Sequence, residues 1–102
     1  MLTGLFFGSF NPIHIGHMAL ANYILEYSEI KELWFVVSPH NPLKEKKTLL
    51  DDHHRLYMTK LAVEDDRRFR VLDVEFRLPK PSYTIDTLTH LKEKYPIREF
   101  AI

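Results

Sequence analysis

The segment L-T-G-L-F-F-G-S-F-N-P-I-H-I-G-H, residues 2–17, decides the fold. Its first part, Leu2 to Phe7, is a nearly continuous apolar run that ends at Gly8, a pattern typical of a buried parallel strand followed by a turn. From about Gly16 to Tyr27, apolar residues recur three and four positions apart and predict one face of a helix. The segment therefore predicts a strand, a tight turn and a helix, which is the first unit of an α/β sheet.

Three further segments have the composition of strands. Leu33 to Val37 is a second apolar run, Phe69 to Phe76 alternates with a β period, and Glu99 to Ile102 opens a fourth strand. Helical patterns lie between them, so the order is β-α-β-α-β-α. We predict an α/β fold with a Rossmann-like doubly wound parallel sheet, truncated at the fourth strand, in a single domain over residues 1–102.

Capping residues indicate where the second and third helices begin. Asp51 or Asp52 is the expected N-cap of the second helix, and Ser82 or Thr84 is the expected N-cap of the third. Pro96 is expected to end the third helix.

The composition excludes several classes of protein. The 102 residues carry 14 basic and 14 acidic side chains, and this balance argues against the basic field of a general nucleic-acid binder. The absence of cysteine excludes disulfides, thiolate metal sites and cysteine nucleophiles. No apolar run approaches the roughly 18 residues that span a bilayer, and no signal peptide is apparent. We therefore expect a cytoplasmic protein without a nucleic-acid or membrane partner.

The turn after the first strand is the main candidate site. Ligands of doubly wound sheets bind at the carboxyl ends of the strands, where the loops starting at Gly8, Ser38 and Phe76 are expected to meet. Gly8 permits a tight turn and a close approach to a ligand, and the following helix offers free backbone N–H groups. Phosphate is the expected ligand.

Two histidines stand at the start of this helix. His14 and His17 are three residues apart, and Gly16 leaves space beside them, so both rings can donate N–H to phosphate oxygens. One alternative is that they only cap the helix or are solvated. Another is a shared zinc ion, but no carboxylate or further histidine stands at ligand spacing nearby, so no metal site is predicted. The loop matches neither the G-x-G-x-x-G nor the Walker A pattern.

The motif G-S-F-N-P-I-H-I-G-H, residues 8–17, resembles the G-x-F-x-P-x-H-x-G-H signature of the nucleotidyltransferase superfamily. Members of that superfamily transfer a nucleotidyl group from a nucleoside triphosphate to a phosphate or similar acceptor. The resemblance implies that two histidines contact the triphosphate and that backbone amides line the nucleotide cleft. The residues it implies for ATP binding are Gly8, Ser9, Phe10, His14, Gly16 and His17.

Further matches are to the nicotinate mononucleotide adenylyltransferases, and together they cover essentially the whole chain. S-Y-T-I-D-T-L, residues 82–88, is similar to the S-Y-T-x-x-T-L element of that family. S-P-H-N-P-L-K, residues 38–44, resembles the family's loop after the second strand, and Arg55 with Met58 resembles part of its second helix.

This resemblance implies roles for residues outside the first loop. The backbone N–H of Thr84 is expected to bind the nicotinate carboxylate while Tyr83 shapes the pocket. Asn41 and Arg55 are expected to bind substrate, and Lys44 to act as a catalytic residue on phosphate charge. The alternatives are that Thr84 only caps its helix and that Lys44 belongs to a solvated run of lysines. For Arg55 the alternative is a surface ion pair with Asp51 or Asp52 on its own helix.

The activity implied is transfer of an adenylyl group from ATP to nicotinate mononucleotide, giving nicotinate adenine dinucleotide and pyrophosphate. Mg²⁺ is expected to arrive bound to ATP. The alternatives are another nucleotidyltransferase, such as a phosphopantetheine adenylyltransferase or a cytidylyltransferase, and a noncatalytic nucleotide-binding module. The S-Y-T-x-x-T-L element speaks against the first two.

Chains of the resembled family continue beyond the point that corresponds to Ile102. We therefore expect the sequence to be the N-terminal portion of the nucleotidyltransferase domain. Because it stops inside an apolar strand, we also expect the isolated chain to be inactive or nearly so and to self-associate through an uncovered sheet edge.

Overall fold

Strands and helices alternate along the chain in the computed structural model, which describes residues 2–10, 12–39, 51–78 and 83–102. The elements are β1 (Leu2–Gly8), α1 (Ile15–Tyr27), β2 (Glu32–Val37), α2 (Asp52–Val63), β3 (Phe69–Leu72), a 3₁₀ turn (Val74–Phe76), α3 (Thr84–Lys94) and β4 (Glu99–Ala101). None of the helices in these ranges has the length and hydropathy needed to span a bilayer.

The four strands form one parallel sheet in the order β3-β2-β1-β4. The chain builds the sheet from β1 through β2 to β3 and then returns to place β4 on the other side of β1. The order of strands reverses at β1, so the loop that follows β1 lies at the switch point where such sheets bind ligands. The predicted α/β fold with a Rossmann-like parallel sheet is confirmed.

The central strand β2 is covered on both faces. Leu33, Phe35 and Val37 pack with residues of α1 and α2, whereas Trp34 and Val36 pack on the opposite face with a residue of α3. All five side chains are 2% exposed or less. This two-sided burial explains why β2 is a continuous apolar run and not an alternating one.

The third strand is shorter than the predicted range Phe69 to Phe76. Strand β3 ends at Leu72, and Asp73, with φ −107° and ψ 18°, leads into the 3₁₀ turn. Within that turn Glu75 is only 5% exposed, and its carboxylate accepts hydrogen bonds from Ser38, just after β2, and from Thr87 in α3. Tertiary hydrogen bonds to a buried carboxylate therefore override the local β alternation.

The predicted caps are partly right. Asp51 is the N-cap of α2, and its carboxylate accepts the backbone N–H two residues later at 2.9 Å. In α3 the N-cap is Tyr83, so the expectation of a cap on Thr84 was wrong; Ser82 lies outside the described residues. The reason is that Asp86, three residues after Tyr83, accepts its backbone N–H at 3.3 Å. Thr84 becomes the first residue of the helix.

A charged cluster closes the amino end of the sheet. Glu32 accepts a hydrogen bond from Trp34 Nε1 at 3.2 Å and lies 3.3 Å from the Arg98 guanidinium and 3.8 Å from that of Arg70. Burial by itself raises the pKa of Glu32, but the hydrogen bonds from Trp34 and Arg98 and the two positive charges outweigh it and lower the pKa. Arg98 also donates to the hydroxyl of Thr3 at 3.0 Å.

The edge of the sheet beside β4 is only partly covered. Strand β4 pairs with β1 from Leu2 to Gly4, and within the described residues the second half of β1 has no strand on that side. An apolar groove of about 520 Å³ lies there between α1 and the end of β4. Its lining includes Leu5, Phe6, Phe7, Leu20, Ile24 and Ala101.

Candidate functional site

The two predicted histidines lie side by side at the switch point. The ring centroids of His14 and His17 are 3.8 Å apart and the rings are stacked at 27°. His14 is the N-cap of α1 and His17 is the third residue of the helix, so the start of the helix brings both rings to one place.

Backbone hydrogen bonds assign the tautomer of each ring. The Nδ1 atom of His14 accepts the backbone N–H of Gly16 at 3.1 Å, and the Nδ1 atom of His17 accepts the backbone N–H of His14 at 3.0 Å. Because a neutral imidazole carries one N–H, both protons then reside on Nε2. Both histidines therefore accept backbone N–H groups at the helix start through Nδ1, and each has an Nε2–H that could donate to a ligand. Capping and phosphate binding are compatible.

The absence of a side chain at Gly16 leaves room for the His14 ring. A Cβ atom at position 16 would lie 2.9 Å from Cε1 and 3.1 Å from Nδ1 of His14. Any larger residue must displace the ring, because real Cβ atoms do not come this close to another heavy atom. The observed position of the His14 ring therefore depends on glycine at position 16.

The surroundings of His17 favour its uncharged form. Desolvation by burial, and secondly the proximity of His14, lower the pKa of His17 from its ordinary value of 6.5. The rings of Phe10 and Phe6 lie edge-on to it, with centroids 5.1 Å and 6.0 Å away. At neutral pH the His17 ring is therefore uncharged, with one N–H that can donate a hydrogen bond.

Phe10 shapes the loop from beneath. Its φ of 48° is in the left-handed region, which costs a bulky residue on the order of 1–3 kcal/mol. Its ring is 2% exposed and packs against Phe6 and Phe35 with centroids 5.5 Å and 5.4 Å away, and this burial holds the strained turn. A Cβ at Gly8 would lie 3.0 Å from the same ring. The Phe10 side chain is thus core, and only its main chain is available to line a ligand site.

Arg55 is buried, contrary to the alternative that it forms a surface ion pair. It does pair with Asp52 on its own helix, but its side chain is 0% exposed. Its guanidinium also donates to the carbonyls of Ser9 and Ser38, the latter at 2.8 Å. Arg55 therefore ties the loop after β1 to the end of β2 from behind. Its predicted contact with substrate stays a prediction.

The start of α3 carries the residues predicted to bind the acceptor substrate. Thr84 is exposed and is the first helical residue, so its backbone N–H has no partner within the helix. Tyr83 is 65% exposed beside it. Glu75, which accepts hydrogen bonds from Ser38 and from Thr87 of this helix, was not predicted as functional, and neither were its two partners. Ser38 and Thr87 lie within the two segments that resemble the family, and this resemblance is the sequence signal that could have identified them.

Two of the predicted site residues, Lys44 and Asn41, lie outside the described part of the chain. Among the residues that the structure does describe, no group of three or more histidines and carboxylates is arranged to hold a metal ion.

A family model described as cytidylyltransferase-like matches residues 5–99. The chain therefore belongs to the cytidylyltransferase-like family, and the predicted resemblance to nucleotidyltransferases is confirmed. More particularly, it is 55% identical over 102 residues to a probable nicotinate-nucleotide adenylyltransferase of Flavobacterium johnsoniae, covering 100% of this chain and 53% of that protein. A probable nicotinate-nucleotide adenylyltransferase of Bacteroides fragilis is 58% identical over 100 residues, which are 98% of this chain and 50% of the relative. The chain thus spans about half the length of these curated relatives.

Solved structures show the same fold. The Plasmodium falciparum nicotinic acid mononucleotide adenylyltransferase complexed with NaAD matches with a TM-score of 0.76 and 24% identity, covering 97% of this chain and 49% of that chain. The same protein complexed with APC matches with a TM-score of 0.72 and 23% identity, over 97% of this chain and 48% of that chain. At these identities the likeness concerns the fold.

Proposed function

We propose that the protein containing this chain transfers the adenylyl group of ATP to nicotinate mononucleotide, giving nicotinate adenine dinucleotide and pyrophosphate. The observation that carries the proposal is the histidine pair at the switch point, where hydrogen bonds to both Nδ1 atoms leave two adjacent Nε2–H donors for one anion. The names of the 55% and 58% identical relatives support the same reaction.

The proposed chemistry needs positioned donors more than a base. An oxygen of the nicotinate mononucleotide phosphate forms a bond to the α-phosphorus of ATP, and the bond from that phosphorus to the bridging oxygen of pyrophosphate breaks. A phosphate monoester has a second pKa near ~6, so the attacking group is already largely a dianion at neutral pH. The protein has to align the reactants and stabilise the charge that develops on the transferred phosphate.

Each residue of the loop then has a task. In this proposal the Nε2–H of His17 binds the α-phosphate in the transition state and that of His14 binds the triphosphate. The main chain of Gly8, Ser9, Phe10 and Gly16 lines the ATP site, and Lys44 adds positive charge. ATP enters as its magnesium complex, with the metal carried on the substrate phosphates.

The first turn of α3 is proposed to select the acceptor. The backbone N–H of Thr84 points out of a helix N-terminus, which favours an anion such as the nicotinate carboxylate over the neutral amide of nicotinamide. Tyr83 forms the adjoining wall of the pocket, and Asn41 and Arg55 complete the predicted set of substrate-binding residues.

A substitution at Thr84 tests this assignment. Proline is well tolerated at the first position of a helix, and Tyr83 before it already has the extended conformation that a following proline requires, with φ −115° and ψ 154°. Thr84→Pro should therefore fold while deleting the one N–H, and should lower the preference for nicotinate over nicotinamide mononucleotide by roughly 10-fold. Thr84→Ala keeps the N–H and should retain the preference.

The measurement is pyrophosphate release by the product of the complete reading frame, with nicotinate mononucleotide, nicotinamide mononucleotide and phosphopantetheine as parallel acceptors. Unchanged selectivity in Thr84→Pro would place the carboxylate elsewhere. Release with phosphopantetheine alone would favour the other adenylyltransferase, and ATP binding without any release would favour the noncatalytic module.

We also propose that the isolated 102-residue chain is inactive and self-associates through the edge of β1 that no strand of the described residues covers. The apolar groove of about 520 Å³ beside that edge supports this, since exposed apolar surface next to unpaired backbone promotes strand association. A monomer in sedimentation experiments that adenylates nicotinate mononucleotide would contradict it. A cytoplasmic location, which the sequence predicts, is proposed as well.

A further inference from the structure

A buried carboxylate connects the two sides of the candidate site. Glu75, in the turn after β3, is 5% exposed and accepts two side-chain hydroxyls. The hydroxyl of Ser38 donates to its Oε1 at 3.0 Å, and the hydroxyl of Thr87 donates to its Oε2 at 2.6 Å. Thr87 lies in the first turns of α3 and is 0% exposed.

Ser38 continues the connection toward the loop after β1. Its carbonyl accepts a hydrogen bond from Arg55 at 2.8 Å, and its backbone N–H donates to the carbonyl of Gly8 at 2.9 Å. The same Arg55 guanidinium donates to the carbonyl of Ser9. A continuous set of buried and partly buried hydrogen bonds therefore runs from the loop after β1, called the nucleotide loop below, to helix α3.

We propose that Glu75 is a positioning residue, whose carboxylate holds the first turn of α3 at a fixed distance from the nucleotide loop. Glu75 acts through Ser38 and Thr87 and touches no reacting atom. The inference rests on the proposed function, because it concerns the alignment of the two substrates which that function brings together. Misplacement of a reactant by about 1 Å costs on the order of 100-fold in rate, so a link of this kind affects turnover more than binding.

The chain offers variants that break the link at either end. Thr87→Val keeps the shape of the side chain and deletes the hydroxyl, whereas Thr87→Ser retains it. Ser38→Ala deletes the other hydroxyl at a half-buried position where folding is less at risk. Thr3→Val is the matched control, since Thr3 is also a 0% exposed threonine with a side-chain hydrogen bond, but at the amino end of β1.

The first readout is steady-state kinetics per folded molecule in the product of the complete reading frame. Thr87→Val and Ser38→Ala should each lower kcat by roughly 10- to 100-fold while changing either KM by less than about threefold. Thr87→Ser and Thr3→Val should stay within about threefold of wild type in kcat. Equal kcat in Thr87→Val and Thr3→Val would overturn the proposal and leave the proposed function standing.

A second readout does not depend on activity. In substrate-free protein, hydrogen exchange at the Ser38 amide and in the first turns of α3 should be roughly 10-fold faster in Thr87→Val than in wild type or Thr3→Val. Unchanged exchange at Ser38 would show that the two sides are not linked, even if every acceptor proved inactive. Absence of turnover in the wild-type protein together with the expected change in exchange would refute the proposed function alone.

Discussion

Replacing Gly16 with alanine should separate the stability of the fold from the function of the histidine pair. A Cβ at this position would lie 2.9 Å from Cε1 of His14, so the ring has to swing away and its Nδ1 has to release the Gly16 N–H. No glycine in the described ranges has a positive φ, so alanine fits the backbone.

The expected change in stability is small because two effects oppose each other. Alanine favours a helix over glycine by up to about 1 kcal/mol. Loss of the cap hydrogen bond from Gly16 to His14 costs about 1 kcal/mol. The free energy of unfolding should therefore change by less than about 1 kcal/mol, as measured by urea denaturation. If His14 binds the triphosphate as proposed, turnover by the product of the complete reading frame should fall by roughly 100- to 1,000-fold, because one positioned donor to the reacting phosphates is lost.

A double-mutant cycle tests whether the effect passes through the ring. If Gly16→Ala acts by displacing His14, adding it to His14→Ala should lower kcat by less than about threefold more. If Gly16→Ala instead lowers kcat by the same large factor in both backgrounds, the glycine is needed for another reason, such as a close approach of its backbone to phosphate. That result would refute the proposed pairing of Gly16 with His14.

Two further predictions concern stability. Glu32→Gln should lower the free energy of unfolding by about 1 kcal/mol at neutral pH. Because the folded pKa of Glu32 lies below its ordinary value of 4.5, the stabilisation by the carboxylate is present above that value and is lost as the pH falls. Urea denaturation should therefore show the stabilities of the two proteins converging as the pH drops below about 4. A constant difference down to about pH 2.5 would contradict this. Gly4→Ala places a Cβ 2.7 Å from Cδ1 of Leu33 and should cost about 1–3 kcal/mol by overpacking, part of which Leu33→Val, lacking that atom, should restore. No recovery in the double variant would mean that the strain lies elsewhere.

The parts of the site that sequence reasoning found are those made by neighbours along the chain. The pairing of His14 and His17 follows from their three-residue spacing at a helix start. The position of that helix follows from the apolar run before Gly8 and the helical period after it. These signals are local, so they can be recognised without knowledge of the fold.

The parts that were missed depend on residues far apart in the sequence. Arg55 and the carbonyl of Ser9 are separated by 46 positions, and Ser38 and Glu75 by 37. A polar residue within an apolar stretch, such as Glu75, has no local pattern that names its partners. The same holds for the left-handed turn at Phe10, which persists because of aromatic packing with β1 and β2.

The amino-acid sequence by itself determined the alternation of strands and helices, the parallel sheet and the loop that brings two histidines together, because hydrophobic period, caps and turn residues act over a few positions. Only the tertiary structure decided that Arg55 is buried behind the loop after β1, that β3 gives way to a turn at Asp73, and that a carboxylate connects the end of β2 to α3. Burying a charged group is costly unless hydrogen bonds satisfy it, and its partners become neighbours only when the chain has folded.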